Sequence, residues 1–284
     1  MILVVVLMAF LTLSSYVLQA YTDSISAYKY VVSIYNKEQA YYIAQSAFEL
    51  AKSILDRDDP SVDTLNDLWA LPFEFNKDNV KVKITIYDEN RFINLNNTKD
   101  SGYRKIYENL FRNLSINQSF LNRLYVWTGA QEGSIPINYP TKKRPLDSLY
   151  ELKLLGFSDE DLYGKMLGNQ FYPGLLSIST VFTDGKINVN TAPVPVLKAL
   201  NPKIDDNLAA KIIDYRKKNP FKSPNDLVLV QGFTFDMLYS ISPYIDVKSS
   251  VFHIKVEVSV GDTNLQVDYI YNRNQKTVIY KEII

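Results

Sequence analysis

Cysteine is absent from the 284 residues, histidine occurs once, and no charge appears before Asp23. Without cysteine there is no disulfide framework and no thiolate site. A chain of this length needs neither to fold, so the absence is compatible with an exported protein. A single histidine, His253, excludes catalytic triads built on histidine beyond that one position, and it excludes multi-histidine metal sites. The G-x-S-x-G, P-loop and H-E-x-x-H patterns are also missing, so no enzymatic constellation is in view. Lysine plus arginine number 31 and aspartate plus glutamate 31. A neutral chain has no general attraction for nucleic acid, whose affinity is dominated by phosphate neutralisation.

The stretch without charge organises the rest. Residues 1–20 are apolar or uncharged and contain no proline or glycine. In a helix they rise roughly 30 Å, the thickness of a bilayer's hydrocarbon core. Leu3, Val4, Val5, Val6, Leu7, Phe10, Leu11, Leu13, Val17 and Leu18 are the candidate membrane and assembly residues. The helical period continues beyond them. Tyr28, Val32 and Tyr35 form one stripe, and Ala40, Ile43, Ala47, Leu50 and Ile54 form another. Asp58-Asp59-Pro60 is the expected stop, which predicts one helix over 1–57. A cleaved signal peptide lacks this continuity and would carry a basic n-region. A plain signal anchor and a pilin-type helix both remain open on the residues alone.

Elsewhere the pattern changes from strand to helix and back. Val80–Tyr87 alternates apolar and polar, and Phe92–Leu95 is a second extended piece after the turn at Asp88-Glu89-Asn90. Helices are expected at 103–114, 118–127, 146–155, 195–200, 205–217 and 223–229, with Ser158 and Asp161 opening another. Phe252–Val260, the run from Leu265 to Tyr271, and Thr277–Ile284 alternate again, as a three-stranded antiparallel meander with one buried face. The amphipathic part of the first helix is its natural cover. The fold class is therefore α+β: a long N-terminal helix on a small antiparallel sheet, 78–97 with 250–284, interrupted by a large inserted all-α region over 98–245.

Several segments carry a family resemblance. Ile187-Asn-Val-Asn-Thr-Ala-Pro193 resembles the signature of the type II secretion minor pseudopilin K, with Asn188, Asn190, Thr191, Ala192 and Pro193 as its residues. Asp88-Glu89 with Ile93-Asn-Leu-Asn96, Gln39-Ala40 with Ala44, Ala47 and Glu49, and Leu149-Tyr-Glu-Leu152 with Gly156 are similar to further segments of that family, in the same order. The resemblance implies a pilin-like helix in the bacterial inner membrane with the remainder in the periplasm. It also implies a place at the pseudopilus tip beside the I and J pseudopilins, and prepilin peptidase as a partner if a basic leader lies upstream. Some family members bind calcium near the segment 128–132. Here that segment offers only Glu132, a weak candidate for an ion that takes six to eight oxygens, so no cofactor is expected otherwise.

Two further readings stay in view. Residues 187–240 resemble a helix-hairpin-helix unit, which makes a membrane-anchored DNA receptor the rival function. The first hairpin, Asn201-Pro-Lys-Ile-Asp205, has no glycine, and no nucleic acid is expected as partner. A minor pilin of a type IV pilus is the other alternative. The bland reading of Asn188, Asn190 and Thr191 is turn and cap chemistry. Asp88-Glu89 is most simply a strand-end turn and His253 a solvated side chain. Asp159-Glu160-Asp161 and Asp205-Asp206 are most simply helix N-terminal charges.

Overall fold

The computed structural model describes residues 2–284; Met1, included in the expected helix, lies outside the described residues. Helix α1 runs from Ile2 to Arg57, 56 residues without interruption and roughly 84 Å long. It ends where Asp58-Asp59-Pro60 was expected to stop it. Strand β1 (Phe73–Lys77) follows and pairs with β2 (Val80–Asp88) through a tight turn in which Asp78 takes φ 52°. A short 3₁₀ turn at Glu89–Arg91 then redirects the chain, and Ile93–Asn94 forms β3.

The insertion contains α2 (Ser101–Asn113), α3 (Ser119–Trp127), α4 (Asp159–Tyr163), β4 (Gly164–Leu167), β5 (Gln170–Pro173), β6 (Ser179–Thr180), β7 (Ile187–Asn188), α5 (Val194–Leu200), α6 (Asp206–Lys218), α7 (Phe235–Ile241) and β8 (Ile245–Asp246). The chain then returns to the sheet as β9 (Val251–Val260), β10 (Thr263–Asn272) and β11 (Thr277–Ile283). The main sheet is five-stranded and antiparallel, in the order β1-β2-β9-β10-β11.

Two hydrophobic cores result. Under α1, the inward residues of the sheet, among them Ile84, Ile86, Ile254, Val256, Val258 and Val267, are buried against the helix. Each contributes about 1.5–3 kcal/mol by leaving water. The insertion has its own larger core, centred on Tyr107, Leu110, Phe111, Leu124, Leu152 and Val196.

Four expectations need correction. The helix face that meets the sheet is Ala40, Ala44, Ala47, Phe48, Ala51 and Leu55, whereas Leu50 is exposed. Ala40 and Ala47 of the expected stripe are buried and Ile43 and Ile54 half-buried, so the stripe is turned slightly toward Ala44 and Ala51, whose small side chains let the helix axis approach the strands closely. The sheet has an additional edge strand, β1, whose outward positions are exposed. The extended piece at Phe92–Leu95 contributes Ile93–Asn94 to a parallel pair with Ser179–Thr180 inside the insertion, because the 3₁₀ turn has already led it off the sheet. The insertion also carries three two-stranded pairs, and the segments at 149–155 and 224–229 are 3₁₀ rather than α.

Candidate functional site

The first surface is the lower half of α1. Every residue from Ile2 to Ser24 is exposed, including all ten candidate membrane residues from Leu3 to Leu18. Ser and Thr hydroxyls in this segment, Thr12, Ser15 and Thr22, return hydrogen bonds to carbonyls of the preceding turn, at 2.7–2.9 Å. That satisfies them without water, as a helix in lipid requires. Further up, Phe48 stacks on Tyr269 with centroids 4.1 Å apart, and Trp69 sits edge-on to Phe252 at 5.2 Å. One rod therefore passes from a naked segment into a packed head.

The second feature is a buried polar junction where the far end of α1, the sheet and the insertion meet. Asp63 is fully buried and forms a two-pronged ion pair with Arg273, at 2.9 and 2.7 Å. The Ser249 backbone N–H donates to the same carboxylate at 2.6 Å. Asn188 donates to the Asp63 carbonyl at 3.0 Å, to the Asp88 carboxylate at 3.1 Å and to the Ser249 hydroxyl at 2.9 Å. Thr191 donates to the same Asp88 carboxylate. Burial raises the Asp88 carboxyl to about 6, against the pull of its Thr191 and Ser249 hydrogen bonds. Asp58, beside the cluster, is also raised to about 6, first by desolvation and then by Asp67 and Asp63, with Arg273 3.8 Å away opposing them.

Asp58, Asp63 and Asp67 bring carboxylate oxygens within 4.8 Å of one another. The Arg273 guanidinium already supplies positive charge there, and Asp67 is held by the Thr64 N–H, the Thr64 hydroxyl and the Trp69 indole. The arrangement is a structural clamp.

The signature asparagines are double-ended ties. Asn190 donates to the Phe221 carbonyl and accepts from the Phe221 N–H, both at 2.9 Å, as a neighbouring strand would. Asn188 also accepts from the Asn190 N–H at 2.9 Å, which is the turn chemistry expected of it. Asn90 accepts from the Ser250 and Val251 N–H groups at 3.0 Å. Asn96 accepts from the Leu146 N–H at 2.7 Å and donates to the Leu146 and Val181 carbonyls. Ala192 is fully buried and Pro193 caps α5. Gly156, at φ 87°, closes the 3₁₀ segment that starts at Leu149. Buried amides that mimic backbone leave no polar group exposed to a ligand.

The remaining candidates resolve simply. Ser158 and Asp161 form a capping box on α4, and Asp205 caps α6 by accepting from the Leu208 N–H at 2.8 Å. Asp88-Glu89, read as a turn, does cap the 3₁₀ segment, yet both side chains are buried, which periodicity alone does not show. His253 is half-buried and paired with Asp268 at 2.8 Å rather than merely solvated. Glu132 projects into solvent with only Lys143 near it, at 4.0 Å, so its donor set does not fit calcium. The adjoining loop is tied instead by the buried Lys142 ammonium, 2.6 Å from Glu151 and 2.9 Å from Asp147. In the helix-hairpin-helix-like unit, Asn201 is engaged by Ser240 at 2.8 Å, Lys198 by Asp206 at 2.8 Å, and Arg216 by the Val189 carbonyl at 2.7 Å. These groups hold the hairpins together and do not reach outward as phosphate contacts do.

An exposed apolar rod, a small antiparallel sheet behind it and a helical region inserted between adjacent strands define a pilin-like architecture. Residues 187–247 match the family model for type II secretion system protein K. The chain is 28% identical over 261 residues to the type II secretion system protein K of Pseudomonas aeruginosa, covering 79% of this chain and 73% of that one. It is similar in fold to a chain of the crystal structure of the GspK–GspI–GspJ complex from the enterotoxigenic Escherichia coli type 2 secretion system. There the TM-score is 0.69 at 17% identity, over 89% of this chain and 98% of that one. In sequence and in fold, the chain is similar to type II secretion system protein K.

Proposed function

We propose that the subunit stands at the tip of the pseudopilus, assembled with I-type and J-type minor pseudopilins, where it helps initiate the filament. Before assembly its apolar segment crosses the bacterial inner membrane once, with the remainder in the periplasm. The candidate residues from Leu3 to Leu18 hold the lipid and later pack against sister helices, as lipid-exposed helices associate through close side-chain contact. The signature residues from Asn188 to Pro193 serve this role indirectly, by keeping the insertion rigid against the rod.

The observation that carries the reading is where the insertion is rooted. Asp63, six residues beyond the end of α1, receives the Asn188 amide, and its own N–H donates to the Val247 carbonyl at 2.9 Å. The added bulk therefore lies at the end of the rod remote from the apolar segment, where it obstructs a further subunit above. The test is co-expression of the full chain with I-type and J-type pseudopilins and purification in mild detergent. A stoichiometric ternary complex is expected, and a strictly lone monomer overturns the tip assignment. Protease treatment of spheroplasts tests the topology: the head should be digested from the periplasmic side.

A further inference from the structure

Tyr21, Tyr28, Tyr35 and Tyr42 recur at intervals of seven along α1, and all four are between 64% and 71% exposed. A straight helix drifts about 20° per heptad away from such a line. A seam kept at this spacing stays on one neighbour only if the two helices wind around each other left-handedly. Val31 and Val32 lie beside the tyrosines, Asp23 and Lys37 fall across the helix from them, Lys29 stands about a quarter-turn away, and Glu38 is the one charge that intrudes. The seam faces away from the sheet: Tyr42 lies across the helix from Ala40 and Ala44, which are fully buried beneath it.

Nothing within the chain can cover this line, because the sheet is on the opposite side and the insertion is rooted beyond the rod's far end. Lipid cannot cover it either. From Tyr21 to Tyr42 is about 31 Å along the axis, starting where the apolar segment has ended and finishing beside the sheet. The occupant must therefore be a rod running alongside. One that is anchored in the same membrane by its own N-terminus can only run parallel.

The geometry points to a parallel, coiled-coil-like contact between this tyrosine seam and the membrane-anchored helix of one neighbouring, non-identical subunit. Helix axes in such packing lie 8–10 Å apart, too close for large rings to oppose large rings. The partner helix consequently carries small apolar residues at its facing heptad positions, with hydroxyl or amide groups at the margins to meet the phenols. The inference rests on the pseudopilin assignment and adds to it which face of the rod is used, in which direction and against what chemistry.

The experiment replaces Tyr28, Tyr35 or Tyr42 singly by p-benzoyl-phenylalanine in the full chain, in membranes that also contain the I-type and J-type pseudopilins. Ser26 and Ser33, on the opposite line of α1, serve as controls. Irradiation should give adducts with one partner subunit, several-fold more from the tyrosine positions than from the serines. The cross-linked peptides should advance along the partner helix in the same direction as the probe. A Tyr28→Ala, Tyr35→Ala double variant should retain several-fold less partner while the head melts unchanged. Equal adducts from both faces, adducts to a second copy of this chain, lipid adducts alone, or an antiparallel order of peptides would overturn the seam. If the partner co-purifies but the adducts come from Ser26 and Ser33, the seam fails and the subunit's role stands. If the unsubstituted chain retains no partner, both fall.

Discussion

Below about residue 36, α1 buries almost nothing; above it, the same helix buries a continuous stripe of alanines. The two halves share one backbone and one hydrogen-bond ladder, yet one is almost wholly exposed and the other is covered by the sheet. Large aliphatics crowd the lower half, as the proposed membrane span requires, because lipid has no shape and rewards area alone. The upper half uses Ala40, Ala44, Ala47 and Ala51 because a sheet has a shape, and close approach to it requires small side chains.

The largest expected break of this contrast is in the lower half. Leu7→Arg with Leu11→Arg should abolish stable membrane association, each arginine costing about 2.5–3.5 kcal/mol at the centre of a span. Carbonate extraction reads the loss, and the head's melting temperature should not move. Next comes the clamp at the top of the rod. Asp63→Ala leaves Arg273 buried without its main partner and should destabilise the head by about 3 kcal/mol, the low end for a broken buried pair, since Asp58 lies 3.8 Å from the guanidinium. Urea unfolding measures it, while membrane extraction should be unaffected.

Smaller effects sharpen the comparison. Ala44→Leu overfills the helix–sheet contact and should cost about 2 kcal/mol, whereas the same change at exposed Ala27 should stay within about 0.5 kcal/mol of the parent head. Equal effects at both positions would remove the distinction between the halves. Last is a pH dependence. The folded Asp58 carboxyl sits at about 6, above its ordinary 3.8, so the folded state holds a proton that the unfolded chain releases between those values. Its contribution to stability is present below pH 3.8 and lost as pH rises through 6. Asp58→Asn should accordingly be more stable than the parent at pH 7.5, by about 1 kcal/mol given the carboxyl's partial contact with solvent. The gap should close as pH falls through 6, read from melting curves of both proteins.

Much of this was legible in the residues. The apolar run, the stop at Pro60, and the alternation in Val80–Tyr87 and Phe252–Val260 each report a solvent boundary with a period, and a period survives in sequence. The caps at Ser158 and Asp205 were legible because capping is local. What stayed hidden depends on distance. Asp63 with Arg273, and Asn188 with Asp88, are pairs separated by 210 and 100 positions, and no spacing rule links them. The asparagines of the signature were visible as residues but not as ties, since their partners are backbone groups of remote loops. Strand β1 was missed because Phe73-Glu-Phe-Asn-Lys77 is short and mostly exposed. The spacing of Ala40, Ile43, Ala47 and Ile54 marks the covered side of α1, but a period alone does not fix the centre of the stripe, which lies on Ala44, Ala51 and Leu55 and leaves Leu50 outside. Helix α7 was missed because Phe235 and Tyr239 point outward, blurring its period.

Asp88, the last residue of β2, stands directly opposite Phe252 near the start of β9. The whole helical region thus departs and re-enters at neighbouring rungs of one ladder. A short turn could bridge that gap without disturbing any other strand, so the additional mass is attached through a single doorway. The sheet beneath is a hairpin of β2 and β9 with a lodger at its open end, and Asn188 and Arg273 are the bolts that stop the lodger from swinging.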